Sequence, residues 1–285
     1  WFRRWKPREW YGLHRHGNGQ VGASVGHYKN EVTALPDGQQ YMDTEILGAT
    51  VRTEIGRPAN LFYGYKTKGV FATSAEAQAA GLYVRDANGV DRTAFEAGDV
   101  HFVDLDGDHF VTEADRTVIG DPNPDIYGNI FTTVQYERFR LDVRFNYSLG
   151  NDIYNYMRQQ LESGSRFMNQ TTALARRWQV EGQQTDIPRL SFQDPMGNSR
   201  FSDRWIEDGS YLRLKTVTLS YDLPISSTFL QGLQFWVQAN NVFTLSRYLG
   251  ADPEGAALSA VLGQGIDAGS VPQSRNFMVG IKISL

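Results

Sequence analysis

The chain has 285 residues, with 28 Lys and Arg against 32 Asp and Glu, and its formal charge of −4 leaves no basic footprint for nucleic acid. It contains no cysteine, which excludes disulfides, thiolate metal sites and a cysteine nucleophile. Mean hydropathy is −0.43 and no apolar run is long enough for a transmembrane helix. The 14 Tyr, 16 Phe and 28 Gly favour β structure with long loops, a composition that outer-membrane barrels share.

The opening WFRRWKPREW has no apolar core or cleavage site, so a mature exported chain or a piece of a longer one is expected. Residues 20–33 read as a weak strand. Ile126–Tyr136 places Ile126, Ile130, Val134 and Tyr136 on one face. After a tight turn at Glu137-Arg138, Phe139–Leu149 alternates Phe139, Leu141, Val143, Phe145, Tyr147 and Leu149 with Arg140, Asp142, Arg144, Asn146 and Ser148. A helix would scatter those apolar residues around its circumference, whereas period two gathers them on one face of a strand. Val217, Leu219, Tyr221 and Leu223 continue the pattern. Leu212 and Leu214 have the opposite parity, which suggests a bulge or a change of surroundings before Val217. Residues 233–245 alternate again through Leu233, Phe235, Val237, Ala239, Phe243 and Leu245. The last strand, 276–285, sets Phe277, Val279, Ile281, Ile283 and Leu285 against Asn276, Gly280, Lys282 and Ser284.

The connections alternate in length. Those at 137–138 and 224–232 are short. Those at 34–124, 150–208 and 247–274 are long, rich in Gly, Pro, Asn and Asp, and read as structureless. Such loops argue against a compact soluble domain, and short turns on one side with long loops on the other are the pattern of transmembrane barrels. A secreted calcium-stapled β-sandwich that binds carbohydrate or mediates adhesion is the alternative. About six strands cannot close a barrel, and lipid tolerates no open edge, so under the barrel reading the chain is part of a larger one. That reading puts Val143 and Ile281 against lipid, where an Asp would block membrane assembly.

From residue 25 onward the chain resembles SusC/RagA-type TonB-dependent outer-membrane transporters. The resemblance is carried by VGHYKNEVTAL (25–35), TEIGRPANLFYGYKTKGVF (53–71), GDVHFVDLDGD (98–108) and DRTVIGDPNPDIYGN (115–129). It continues in YSLGNDIYNYM (147–157), DIPRLS (186–191), RFSDRWIEDGSYLRLKTVTLSYDLP (200–224), QANNVFTLSRYLGADPE (238–254) and GIDAGSVPQSRNFMVGIKISL (265–285). It implies an all-β fold, with residues 1–285 forming the C-terminal part of an antiparallel transmembrane barrel of about 22 strands, the plug domain and earlier strands being absent. It also implies an outer-membrane location in a Gram-negative, Bacteroidetes-like cell, a periplasmic C-terminus and extracellular long loops. The implied partners are a SusD-like surface lipoprotein, the TonB complex acting through the missing part, outer-membrane lipid, and an oligosaccharide or peptide substrate.

The stretch DLDGDHFVTEAD (104–115) lies in the 34–124 loop and has EF-hand spacing. Asp104, Asp106 and Asp108 stand at positions 1, 3 and 5, with the Phe110 carbonyl, Thr112 and Asp115 at 7, 9 and 12. Calcium is a hard cation that takes about 6–8 oxygens, and alternate spacing aims carboxylates at one point. His109 replaces the usual glycine at position 6, and Asp115 has a shorter arm than the usual Glu. With no amphipathic helix pair around it, the loop reads as a structural calcium staple rather than a sensor, or else as a solvated acidic turn.

No catalytic constellation is visible. The five His, including His14 and His16, form no zinc motif, and Asp186, Asp203, Glu207 and Asp208 are sequence neighbours in loops without a defined facing geometry. Loop aromatics are candidate contacts to substrate or partner: Tyr154, Tyr156, Trp178 and Trp205 first, with Phe167, Phe192 and Tyr211 beside them. Local packing or an interfacial girdle is the alternative for each.

Overall fold

The computed structural model describes residues 17–85, 92–225, 229–255 and 261–285. The unassigned opening segment through residue 16, with His14 and His16, lies outside the described residues. Six strands form one antiparallel sheet in sequence order, Gly17–Gly26, Ile126–Tyr136, Phe139–Leu149, Tyr211–Leu223, Gly232–Ser246 and Asn276–Ser284. They are the six that period-two alternation predicts, and are called here the first to sixth wall strands.

Register turns alternation within each strand into rows across the sheet. One row runs Val134, Leu141, Leu219, Val237, Val279, and the next runs Tyr136, Phe139, Tyr221, Phe235, Ile281. The opposite face carries the row Thr133, Asp142, Thr218, Gln238, where Arg140 pairs with Asp142 at 2.8 Å and Thr133 donates to the same carboxylate. The apolar rows are uncovered: Val279 is 78% and Ile281 58% exposed. A sandwich would lay a second sheet over that face, and none lies there among the described residues. A continuous apolar band of this kind is stable against lipid and costly against water.

Of the two readings of the parity change, the bulge is the one the structure takes. Arg144 pairs with Thr216 and Phe145 with Leu214, so Lys215 is the extra residue. The fifth strand has its own irregularity opposite, where Asn241 takes φ 52°. The first strand corrects the expected span, because it ends at Gly26 rather than continuing to Thr33. Its partner begins at Ile126, and just beyond the ladder the His27 ring bonds the Asp125 carbonyl at 2.6 Å.

The three long connections leave the same end of the sheet, since the short ones at 137–138 and 224–231 join the other ends of their strands. The expectation that they are structureless is overturned. The connection from the first to the second strand contains a four-stranded sheet of Tyr41–Ile46, Ala49–Glu54, Leu61–Tyr65 and Arg116–Gly120. It also contains a helix, Ser74–Ala80, which starts where the Thr73 hydroxyl accepts the Glu76 N–H and stops at Gly81 in the left-handed region, φ 62°. Ile206–Asp208, Asp152–Asn155 and Ile266–Asp267 form a further sheet that joins the second and third excursions.

Two buried clusters hold these excursions together. Phe71, Leu82, Phe95, Val100, Phe102 and Met196 form one, and Val51, Phe62, Tyr154, Phe201, Trp205 and Ile266 the other. The second draws on all three excursions, and each large side chain it buries contributes about 1.5–3 kcal/mol. The apolar residues that make these cores sit in short segments such as NLFYGY, and some of their partners are distant: Phe62 meets Tyr154 and Phe201.

Candidate functional site

At 104–115 the structure brings Asp104, Asp106 and Asp108 together, with one oxygen of each within 4.8 Å of the others. The turn closes despite His109, which adopts φ 67°, the left-handed conformation usually left to glycine, as does Gly107 at φ 78°. For His that conformation costs about 1–2 kcal/mol. It is held by the Asp104 carboxylate, which accepts the N–H of Gly107 at 2.7 Å and of His109 at 3.0 Å. Desolvation works against the Asp104 charge, but those two N–H groups outweigh it and hold the carboxyl below its usual range. Asp106 goes the other way. The Asp108 N–H favours its charge, yet desolvation and the neighbouring charges of Asp108, Asp115 and Asp104 together push it up. A cation among these oxygens would relieve that repulsion, and an all-oxygen donor set suits calcium.

Asp115 is fully buried and accepts the N–H of Leu105 at 2.7 Å and of Thr112 at 2.8 Å. It therefore clamps the base of the loop, outside the group that Asp104, Asp106 and Asp108 form, with one lone pair on each oxygen still free of these bonds. The Thr112 hydroxyl is engaged as the cap of the turn at Glu113–Asp115. Phe110 closes the loop through its N–H to Asp108, and its ring packs under Arg85 and against Tyr83.

The four aromatic candidates divide. Tyr154 and Trp205 are wholly buried, which corrects their reading as contact residues: both are core anchors, since a ring with no exposed surface cannot stack on a ligand. Tyr154 donates to Gln159, and the Trp205 indole donates to the Arg200 carbonyl. Arg158 and Arg204 lie over the Trp205 ring at 5.5 and 4.9 Å. Burial, reinforced by the charge of Arg158, pushes the Arg204 guanidinium down to about 10. Tyr156 is half-buried against the same cluster. Trp178 is also half-buried. It donates to the Ala72 carbonyl and lies on Gly98, where a Cβ would come within 2.5 Å of the ring. Of the seven loop aromatics singled out from the sequence, the exposed ones are Phe167, at 95%, and Phe192, with ring centroids 5.0 Å apart.

The loop carboxylates serve as structural acceptors. Glu207 takes Arg158 at 2.8 Å and the Leu249 N–H, and Asp203 takes the Thr67 N–H and hydroxyl. The residue that sequence reasoning missed altogether is Arg200. It lines two adjoining clefts, one with Phe167, Phe192 and Asp194, the other with Tyr63, Tyr65 and Arg116. Nothing in its sequence context marks it, because Tyr63, Tyr65 and Arg116, which line the second cleft with it, lie far away along the chain.

A one-sided apolar sheet with two free edges, carrying folded excursions at one end, is a section of a membrane-barrel wall. No family model matches the chain. It is 31% identical over 268 residues to TonB-dependent receptor P3 of Formosa agariphila and 29% identical over 268 residues to TonB-dependent receptor P26 of the same organism. Each match takes in 90% of this chain, which spans about a quarter of the length of these curated relatives (25% and 26%). In fold it is similar to the structure of the RagAB peptide transporter, with TM-score 0.72 and 24% identity, over 95% of this chain and 28% of that one. A RagAB peptide importer structure in an open-open state gives TM-score 0.72 over 97% and 27% of the two chains. The chain belongs to the TonB-dependent receptors, of which it spans a portion. Its place in the outer membrane follows from that membership.

Proposed function

We propose that the chain forms part of the wall and external surface of an outer-membrane importer of oligosaccharides or peptides. In this reading the complete protein closes a barrel of about 22 strands, acts with a SusD-like lipoprotein seated on the excursions, and draws energy through TonB. No bond-making chemistry is part of it. The observation that carries it is the unbroken apolar band of the wall, Val134 to Val279 in one row, beside folded excursions confined to one end. The structures similar in fold are those of the RagAB peptide transporter and peptide importer, which favours transport as the work done.

The test uses the full-length protein in its own cells. Deleting its gene abolishes uptake of one class of labelled oligosaccharide or peptide, deleting TonB does the same, and an affinity-tagged copy retains a surface lipoprotein. Undiminished uptake of every oligosaccharide and peptide supplied as sole nutrient would sink the proposal.

Within this reading the acidic loop takes a calcium ion as a structural staple, held by Asp104, Asp106 and Asp108 with the Phe110 carbonyl and Asp115 completing the set and Thr112 at the ninth position. Calcium is expected to slow proteolysis at residues 98–116 of the full-length protein by about tenfold, and Asp104→Asn with Asp106→Asn to abolish that protection. Equal cleavage with calcium and with chelator would show the loop to be a solvated turn.

A further inference from the structure

Between the four-stranded sheet of the first excursion and the 198–202 segment of the second lies a cleft of about 380 Å³, within the size range of small-molecule sites. Its lining includes Tyr63, Tyr65, Arg116, Gln159, Arg200 and Thr50. Two backbone features build it. Gly48, at φ 80°, closes the hairpin at its rim. Gly64 lets the 201 backbone lie against the strand, since a Cβ there would meet the Phe201 carbonyl at 2.8 Å. The Tyr65 N–H then donates to that carbonyl at 3.2 Å, which delivers the neighbouring Arg200 into the cleft.

The electrostatics of this cleft are unusual in a chain of net negative charge. The guanidinium of Arg200 is held by the carbonyls of Gly197 and Met196, both at 2.9 Å, and lies over the rings of Phe102 at 4.8 Å and Tyr65 at 5.0 Å. Among the described residues no carboxylate forms an ion pair with it. Arg116 approaches the same Tyr65 ring, at 5.7 Å, and both guanidiniums interact with the Tyr65 hydroxyl. The only ion pair of Arg116 among the described residues is with Glu113, whose side chain is 83% exposed, so water screens that partner and its hold is weak. Glu45, the one carboxylate lining the cleft, accepts the Thr50 hydroxyl; its charge favours that of Arg116, and the charge of Asp194 favours that of Arg200, though neither carboxylate forms an ion pair with them. Two cations thus converge on one phenol, repel each other, and retain N–H donors beyond those already used.

We propose that this cleft binds a carboxylate group of the transported substrate, with Arg116 and Arg200 as its donors and Tyr63 and Tyr65 flanking it. Guanidinium forks match a carboxylate in geometry and form charge-assisted bonds stronger than neutral ones. The carboxylate can belong to a uronic acid residue of an oligosaccharide or to the C-terminal residue of a peptide, and the cleft chemistry is the same for both. This inference rests on the importer reading and names the substrate class within it.

The test measures binding to purified full-length protein with four probes: digalacturonate, its neutral counterpart digalactose, and a tripeptide with a free or an amidated C-terminus. One carboxylate probe is expected to bind at least about tenfold more tightly than its neutral partner, and Arg116→Gln to remove that preference. The Arg116 side chain is partly exposed and its only ion pair among the described residues is with exposed Glu113, so this variant keeps the fold, and Arg200→Lys, which retains the charge but not the fork, is expected to lower the same affinity. Which probe pair shows the preference decides the source of the carboxylate. Equal binding of charged and neutral partners, no binding of either carboxylate probe, or an unchanged preference in Arg116→Gln would overturn the inference. If cells still import through the protein while those results hold, only the carboxylate site fails. Loss of import in every assay would instead count against the importer reading.

Discussion

Val143→Arg prevents the full-length protein from assembling in the outer membrane, whereas Gln238→Arg does not. Val143 is the fifth of the 11 residues of its strand and occupies the row of Thr132, Val217, Ala239 and Phe277, on the apolar face. A strand of about 9–11 residues crosses a bilayer, which puts Val143 near the midplane. There an Arg on the lipid face costs about 2–4 kcal/mol, falling toward zero at the interfaces, and an Asp costs somewhat less. Ile281→Asp, in the row nearer the short turns, has a smaller effect for that reason. Gln238 lies one residue from Ala239 on the opposite face, where it bonds Thr218 and Asn240, so Arg there meets polar neighbours. Protease-resistant protein in the outer-membrane fraction is the readout. Normal amounts of the Val143→Arg protein would show that this face does not meet lipid.

That contrast works because the wall was legible from the chain alone. Period-two alternation needs only strand residues and their immediate neighbours, so Phe139–Leu149 declared both of its faces, and the parity change around Leu214 left a bulge as one of two readings. The excursions followed other rules. Their strands are mostly three to six residues long, too short for a period to register, and their cores join segments such as Phe62 and Tyr154 that no local pattern connects. The same gap explains why Trp205 looked like a surface contact and proved to be a core anchor. The acidic loop was legible in its ligand spacing, yet the way His109 completes the turn depends on two N–H groups bonded to Asp104, which spacing does not reveal. Arg200 was invisible because an arginine that lines a cleft differs from any other only by what faces it.

The joint between the first and second excursions gives the other large effect. Asp99 is wholly buried and accepts the Glu96 N–H at 2.9 Å, Asn198 Nδ2 at 2.9 Å, and Arg189 through Nε at 3.0 Å and Nη2 at 2.9 Å. Beside it the Arg189 N–H donates to the Gly98 carbonyl, and Asn198 Oδ1 accepts the Val100 N–H. One carboxylate thus joins a loop at residue 99 to segments some 90 and 99 positions further on. Asp99→Ala strands several donors in a dry site. Removing one member of a buried pair costs about 3–5 kcal/mol, and the partial exposure of Arg189 together with its second partner Glu96 places this case near the lower end. The wall is a separate set of contacts, so the loss is local: the membrane-embedded protein stays assembled while protease cuts within 150–208 more than tenfold faster, about 1.4 kcal/mol or more of lost protection. Asp99→Ala with Arg189→Ala should be less than additive, because the second change removes a donor that the first has already orphaned. Cleavage of Asp99→Ala at the rate of the unaltered protein would mean that the excursions are held by their apolar clusters alone.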